Sequence, residues 1–318
     1  MKANSNGHKR NGHKRRGAKK RPGGGAAPEA RLAQSDLSES LSAIERVRLA
    51  RHPNRPQTLD YIDLLMRDFF EVHGDRRFAD DGAIVAGLGY FGRRAIAVVG
   101  HQRGRTTTER LKRNFGKPHP EGYRKAARVY ELAQQFSIPL VTLIDTQGAE
   151  SGVGAEERGQ TEAIARNLEL MARLTVPVIA CVIGEGGSGG AMALGVANVV
   201  LMQENACYSV ITPEGCAAIL FRAGGEENVS TAAAALKLSA PDLLELGIID
   251  AIVPEPAGGA HTAPDEAAHL LGAALAHHLE SLVTVKPAEL RRARERKFAT
   301  MGSAFMTRQH LEGDEPVG

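Results

Sequence analysis

Apolar positions recur along this chain with two different periods, and each change of period marks an element. Between Asp36 and His52, Leu41, Ile44 and Val47 fall on one side of a 3.6-residue spiral, and Glu39 stands in capping-box position to Asp36. A short helix is predicted there, ending before His52-Pro53, because the residue ahead of a proline is disfavoured in helical backbone. TLDYIDLLMRDFFEV, residues 58–72, predicts a second amphipathic helix. From residue 83 the period drops: AIVAGLGYFGRRAIAVVG reads as a hairpin turning near Phe91-Gly92. A basic stretch with nine Lys/Arg between 103 and 128 follows, and a helix is predicted from about Pro120, a good first-turn residue, to Phe136.

The next two segments repeat. QFSIPLVTLIDTQGAESG and RLTVPVIACVIGEGGSGG superpose with Pro139 on Pro177, which puts Gly148 on Gly186 and Gly152 on Gly190. A helix precedes each proline. In the second, Ile164, Leu168 and Met171 form the apolar face, Glu156, Glu157 and Glu162 crowd the start, and Arg173 sits at the end, as the helix dipole prefers. Two further strands are expected at NVVLMQE and CYSVIT, and mostly helix from AALKLSAPDLLELGIIDAIVPEP onward. A repeat of about 38 residues also occurs in solenoids. Here the alternation of buried strands with helices predicts an α/β fold with a parallel sheet.

Composition changes this picture in three places. Trp is absent and aromatics are 4% of 318 residues, so a core drawn from 42% hydrophobic residues rests on Ala, Leu, Ile and Val. The net charge of +3 comes from the N-terminus: residues 1–21 hold nine Lys/Arg and no acid, leaving 31 basic against 37 acidic residues elsewhere. That tail repeats NGHKR at 6–10 and 11–15 and reads as disordered; it can attract nucleic acid or anionic surfaces, and a solvated tail is the simpler reading. RRARERKF near the C-terminus is likewise expected to be a solvated basic face. Cys181, Cys207 and Cys216 form no C-x-x-C, so neither a zinc site nor a disulfide framework is expected, and a reducing, cytoplasmic setting is the simplest fit. There is no secretory pattern and no 18-residue apolar run, so no membrane span is expected.

The candidate chemistry centres on IGEGGSGG, residues 183–190. Gly184, Gly186 and Gly189 fit a dinucleotide fingerprint, with Glu204 as the ribose-binding acid. Gly186, Ser188 and Gly190 fit a nucleophile elbow, with Asp250 and His261 as partners. In a third reading the glycines let main-chain amides converge on developing negative charge, which needs no side-chain nucleophile. Close packing of helix on strand explains such glycines equally well.

The motifs ARHPNRP, TLDY, GDR, ADD, GHQRGR, KRNFGKPHPEGYRK, IDTQGAESGVGAEERGQ, VIGEGGSGGA, YSVITPEGCAAIL and IIDAIVPEPAGGAH run in order over roughly residues 40–265. Together they resemble the carboxyltransferase alpha family of bacterial-type acetyl-CoA carboxylase. The resemblance implies a crotonase-like (ClpP/crotonase) ββα superhelix with flanking helices. The implied layout is a disordered basic tail at 1–34, a helical segment at 35–80, the carboxyltransferase core at 81–265, and a C-terminal helical segment and tail at 266–318. It implies transfer of a carboxyl group from carboxybiotin, on a separate biotin carboxyl carrier protein, to the coenzyme A thioester acetyl-CoA, giving malonyl-CoA for fatty-acid synthesis. A beta subunit carrying the zinc would complete an alpha2beta2 heterotetramer, and a separate biotin carboxylase would bind the ATP. No metal is expected in this chain.

The implied oxyanion hole is the backbone of Gly186, Gly187, Gly189, Gly190 and Ala191. The implied substrate-binding residues are Arg103, Arg105, Gly148, Gly152 and Gly154, with the two arginines lining an anionic path or, alternatively, forming a solvated face or subunit contact. Glu156, Glu157 and Arg158 read as helix-start and interface residues. The chain departs from the family's DTPGAYPG: Gln147, Glu150 and Ser151 replace proline, tyrosine and proline, and Arg103 stands where lysine is usual. Losing two prolines is expected to loosen the turn, and Glu150 adds a negative charge near an anionic ligand. These changes leave open carboxylation of another acyl-CoA, or a weakly active scaffold paired with a beta-type subunit.

Overall fold

The computed structural model describes residues 41–221 and 225–303. The basic tail and the Asp36/Glu39 capping box lie outside the described residues. The first described helix, α1 (Ala43–Ala50), has its own box: Ser42 Oγ accepts from Glu45 N–H, and the Glu45 carboxylate accepts from Ser42 N–H at 2.8 Å. Helix α2 (Thr58–Leu65) is half the predicted length. Residues expected to continue it form strand β1 (Met66–Glu71), paired antiparallel with β2 (Ile84–Phe91). Local periodicity is overridden here because β2 would otherwise be a bare sheet edge. Gly87 and Gly89 accept the β1 side chains: a Cβ at Gly87 would stand 2.7 Å from the Phe69 ring, and one at Gly89 2.8 Å from Met66. The segment 35–80 is therefore not all helical, and a border at residue 80 cuts through one sheet.

Strand β3 (Arg94–His101) completes the predicted hairpin, with Gly92 at φ +60° opening its two-residue turn. Next come α3 (Thr107–Lys112), which the sequence reading missed, a single 3-10 turn at Asn114–Gly116, and α4 (Pro120–Phe136). Then follow β4 (Leu140–Thr146), α5 (Val153–Glu157), α6 (Gln160–Arg173), β5 (Val178–Gly187), α7 (Ser188–Met192), β6 (Val199–Gln203) and β7 (Cys207–Ser209). The chain continues through α8 (Pro213–Phe221), α9 (Glu226–Ala235), α10 (Ala240–Glu245), β8 (Ala251–Val253), α11 (Pro264–Leu282) and α12 (Pro287–Thr300). Strands β3, β4, β5, β6 and β8 are parallel, in that spatial order, and β7 pairs with the exit of β5.

The internal repeat is the strand register itself. Leu140 pairs with Val178 and Ile144 with Val182, an offset of 38 throughout; then the register slips and Thr146 pairs with Gly186. Both faces of the sheet are covered, which is why its strands read as continuous apolar runs. Ile84, Ala97, Leu140 and Val178 pack on Tyr123, Val129 and Met171 of α4 and α6. Their neighbours Val85, Val98, Val141 and Ile179 pack on Tyr61 of α2 and Leu271 and Leu275 of α11.

One expectation about charge is corrected. RRARERKF is not uniformly solvated: Arg294 is buried and donates to the carbonyls of Met171, Leu174 and Val176 and to Asn198 Oδ1, capping the end of α6. In the basic stretch, Lys125 is buried, its ammonium held by Asp80 and the Asp81 carbonyl at 2.7 Å each.

Candidate active site

The exits of β3, β4 and β5 meet at the carboxyl edge of the parallel sheet, where ligands bind in open α/β folds. The register slip at the end of β4 is built around Asp145. Its buried carboxylate accepts from Glu185 N–H at 3.0 Å and from Arg103 Nη1 at 3.2 Å. Residue 184 must be glycine, because a Cβ there would lie 2.4 Å from Asp145 Oδ1. The slip lengthens β5 and carries Gly186 and Gly187 onto the turn that follows β4.

The two glycine turns touch through backbone alone. A Cβ at Gly187 would stand 2.2 Å from the Gln147 carbonyl, and one at Gly190 would stand 2.7 Å from Gly148 C and 2.8 Å from Ala149 N. Gly148 itself takes φ +152°. Ser188 opens α7 in left-handed backbone, φ +48°, a conformation that costs a non-glycine residue energy and that clusters at functional sites. A helix leaves its first amides without intrahelical acceptors, which here are those of Ser188, Gly189 and Gly190. Behind the corner lies His101, fully buried; burial pushes its imidazole down to about 3, so it is neutral.

Beside the corner is a cavity of about 250 Å³, lined by Arg51, Arg55, Arg103, Phe115, Asp145 and Gln147, among others. The linker between α1 and α2 supplies Arg51 and Arg55, and the segment that leaves β3 supplies Arg103. Arg51 spans Glu185 (Nη2–Oε1 2.5 Å) and Glu214 of α8 (Nη1–Oε1 2.7 Å). Arg55 is buried against Glu255 and the Ile183 carbonyl. Burial opposes the charge on Arg51, Arg55 and Arg103 alike; their carboxylate partners outweigh it, and all three guanidinium pKa values are raised. Glu185 Oε2 is left without a hydrogen bond, with Arg103 Nη1 no nearer than 3.6 Å. Among the described residues no three His, Cys, Asp or Glu side chains gather as a metal site, and no described helix is long and apolar enough to cross a membrane.

The acetyl co-enzyme A carboxylase carboxyltransferase-like family model matches residues 27–302. The acetyl-coenzyme A carboxylase carboxyl transferase subunit alpha of Sorangium cellulosum is 56% identical over 273 residues, covering 86% of this chain and 85% of that protein. The subunit of the same name from Aquifex aeolicus is 54% identical over 267 residues, covering 84% and 82%. The chain belongs to the acetyl-coenzyme A carboxylase carboxyltransferase alpha family. Transcarboxylase 12S superposes with a TM-score of 0.60 at 20% identity, over 76% of this chain and 44% of that one. The beta subunit of geranyl-CoA carboxylase from P. aeruginosa gives 0.55 at 19%, over 78% and 46%. The chain spans less than half the length of these two structures, and at such identities the likeness carries the fold, which is the crotonase type.

With the carboxyltransferase fold in hand, the competing readings of 183–190 separate. Glu204 is engaged inside the protein, accepting from Glu255 N–H at 3.1 Å, and does not stand free for a ribose. Asp250 is tied to Val200 N–H and Lys297, and His261 stacks on His52 at 3.7 Å; neither bonds to Ser188, so no triad forms. Arg103 lines the cavity, whereas Arg105 forks onto Asp60 at 2.6 and 3.0 Å outside it. Gly152 caps α5 and Gly154 lies in its first turn, and neither lines the cavity. Sequence reasoning missed Arg51, Asp145, Glu185 and Phe115. ARHPNRP and KRNFGKPH were flagged as motifs, but nothing in their spacing shows that they close on one cavity.

Proposed function

We propose that this carboxyltransferase chain moves a carboxyl group from carboxybiotin, presented by a separate carrier protein, to acetyl-CoA, giving malonyl-CoA. The observation that carries this reading is the backbone-lined corner where the exits of β4 and β5 meet. Carboxybiotin supplies the carboxyl group, and its release builds negative charge on the urea oxygen. The amides around Gly189 and Gly190, with Gly186, Gly187 and Ala191 completing the turn, are fixed dipoles suited to such charge. Of these, the Ala191 amide is the first within reach of an intrahelical carbonyl, so Gly189 and Gly190 are the donors this reading favours. Arg103 attracts the carboxylate to the cavity; Arg105, Gly148, Gly152 and Gly154 serve the wider substrate path. The enolate oxygen of the thioester needs a second set of donors, which a zinc-bearing beta-type partner supplies in an alpha2beta2 assembly. A separate biotin carboxylase uses the ATP, and the complex works in the cytoplasm.

The test is co-expression with a beta-type subunit, followed by malonyl-CoA-dependent carboxylation of a free biotin derivative. Gly190→Ala keeps its N–H but forces a methyl against the Gly148 backbone and displaces the corner; kcat is expected to fall by up to roughly 10²- to 10³-fold, as when an oxyanion donor is misplaced. An assembled wild-type complex that carboxylates nothing, or a Gly190→Ala complex with full kcat, refutes the reading.

A further inference from the structure

The turn at Asn114–Gly116 has positive φ at every residue: +42°, +54° and +76°. Two adjacent non-glycine residues in left-handed backbone are strained, and such strain persists only where the surroundings over-determine it. Here they do so from two sides. Gly116 lies flat on Arg103; a Cβ there would be 2.6 Å from Arg103 Cγ and 3.3 Å from the Asp145 carbonyl oxygen. Asn114 Nδ2 donates to the Lys117 carbonyl at 2.9 Å and to Glu150 Oε2 at 2.8 Å. The other Glu150 oxygen accepts from Gly152 N–H at 2.8 Å, and Glu150 N–H donates to the Pro118 carbonyl at 3.0 Å. One carboxylate thus ties the strained turn to the glycine loop that leaves β4.

The strain is not spent on the core. Phe115 is 47% exposed and lines the arginine-rich cavity beside Arg103 and Gln147. The cavity, about 250 Å³, has room for a small ring system. Arg51 and Arg103 edge it while held by Glu185 and Asp145, and Phe115 offers the flat apolar surface that a small ring system lies against.

We propose that Phe115 is a specificity-determining residue, the apolar wall for the bicyclic urea ring of the biotin substrate. Glu150 is the positioning residue that latches the wall in place. This rests on the carboxyltransfer reading given above. The two hydrogen bonds accepted by the Glu150 carboxylate, from Asn114 and Gly152, are the hold on the strained turn.

The test uses the complex assembled with a beta-type partner, run in the malonyl-CoA-dependent direction with biocytin as acceptor. Each substrate is varied with the other saturating. Phe115→Ala is expected to raise KM for biocytin about three- to tenfold, the size of one lost ring contact, and to leave KM for malonyl-CoA and the melting temperature unchanged. Phe115→Tyr keeps the ring and is expected to restore the wild-type KM. Glu150→Ala is expected to give the same selective rise; Glu150→Gln, which keeps one acceptor, falls between. Phe115→Ala with both KM values unmoved, or with only that for malonyl-CoA raised, overturns the proposal. So does a Glu150→Ala complex that melts earlier with an unchanged KM for biocytin. In those cases an active wild type leaves the parent reading standing; a wild type without carboxyl transfer overturns both.

Discussion

His101 sits where the sheet hands over to the site, and its chemistry makes a pH-dependent claim. Its ring is fully buried, its carbonyl accepts from Thr58 Oγ1 at 2.6 Å, and burial lowers its pKa from an ordinary 6.5 to about 3. The unfolded chain therefore binds one more proton than the folded one between those two values. The stability that comes from burying the neutral ring is complete above about pH 6.5 and is lost as pH falls toward 3, at about 1.4 kcal/mol per unit for this one group. At pH 5 the loss is roughly 2 kcal/mol. Urea midpoints measured from pH 7.5 to 5 should fall along that slope in the wild type and run flatter in His101→Asn. Equal slopes would show that the ring is not held neutral. Single residues were the least legible level of this chain. The glycines of 183–190 announced a backbone-lined corner, but Asp145 and Glu185 matter because the fold brings them to Arg103 and Arg51, and no local spacing encodes those distances.

Whole elements were easier to read where burial dictates the pattern. The repeat built on Pro139 and Pro177 is the strand register, because equivalent strands of a two-faced sheet meet equivalent surroundings. Reading failed where a tertiary partner overrides local preference: β1 was read as helix because Met66, Phe69, Phe70 and Val72 suit a helical face as well as a sheet edge. It failed again at Arg294, since RRARERKF has the composition of a solvated face. Burial pulls the Arg294 pKa down to about 10, and the neighbouring Glu295 carboxylate offsets this only in part; its hydrogen-bond partners are the carbonyls that end α6 and the Asn198 amide. Arg294→Ala leaves those acceptors buried and unpaired, and the expected loss is about 2–4 kcal/mol in chemical denaturation. Arg294→Lys, with a single ammonium that cannot fork across the same acceptors, should recover only part of it. A surface-like cost below about 0.5 kcal/mol for the alanine variant would mean that α12 is not pinned in this way.

For the molecule as a whole, the decisive asymmetry is between the two ends of the sheet. At the glycine end, β7 pairs with Gly186 and Gly187, and the chain then presents Val210, Ile219 and Leu220 at 75%, 71% and 62% exposure. Arg51 ties this region to the cavity through Glu214. Large apolar side chains concentrated beside a site mark a surface that another protein covers. The proposed chemistry asks for the same thing, since it forms two oxyanions and assigns this corner to one. A beta-type partner should therefore seat over α8. Ile219→Asp with Leu220→Asp should weaken its association at least about tenfold, which needs only about 1.4 kcal/mol at a hydrophobic contact, while the isolated chain melts as before because both positions are exposed. Phe136→Asp is the matched control. That ring is 56% exposed but closes α4 at the opposite end of the sheet, just ahead of Pro139. Titrations of each variant with the partner would decide the orientation. If Phe136→Asp weakened binding and the α8 pair did not, the partner would cover the wrong end of the sheet to complete the glycine corner.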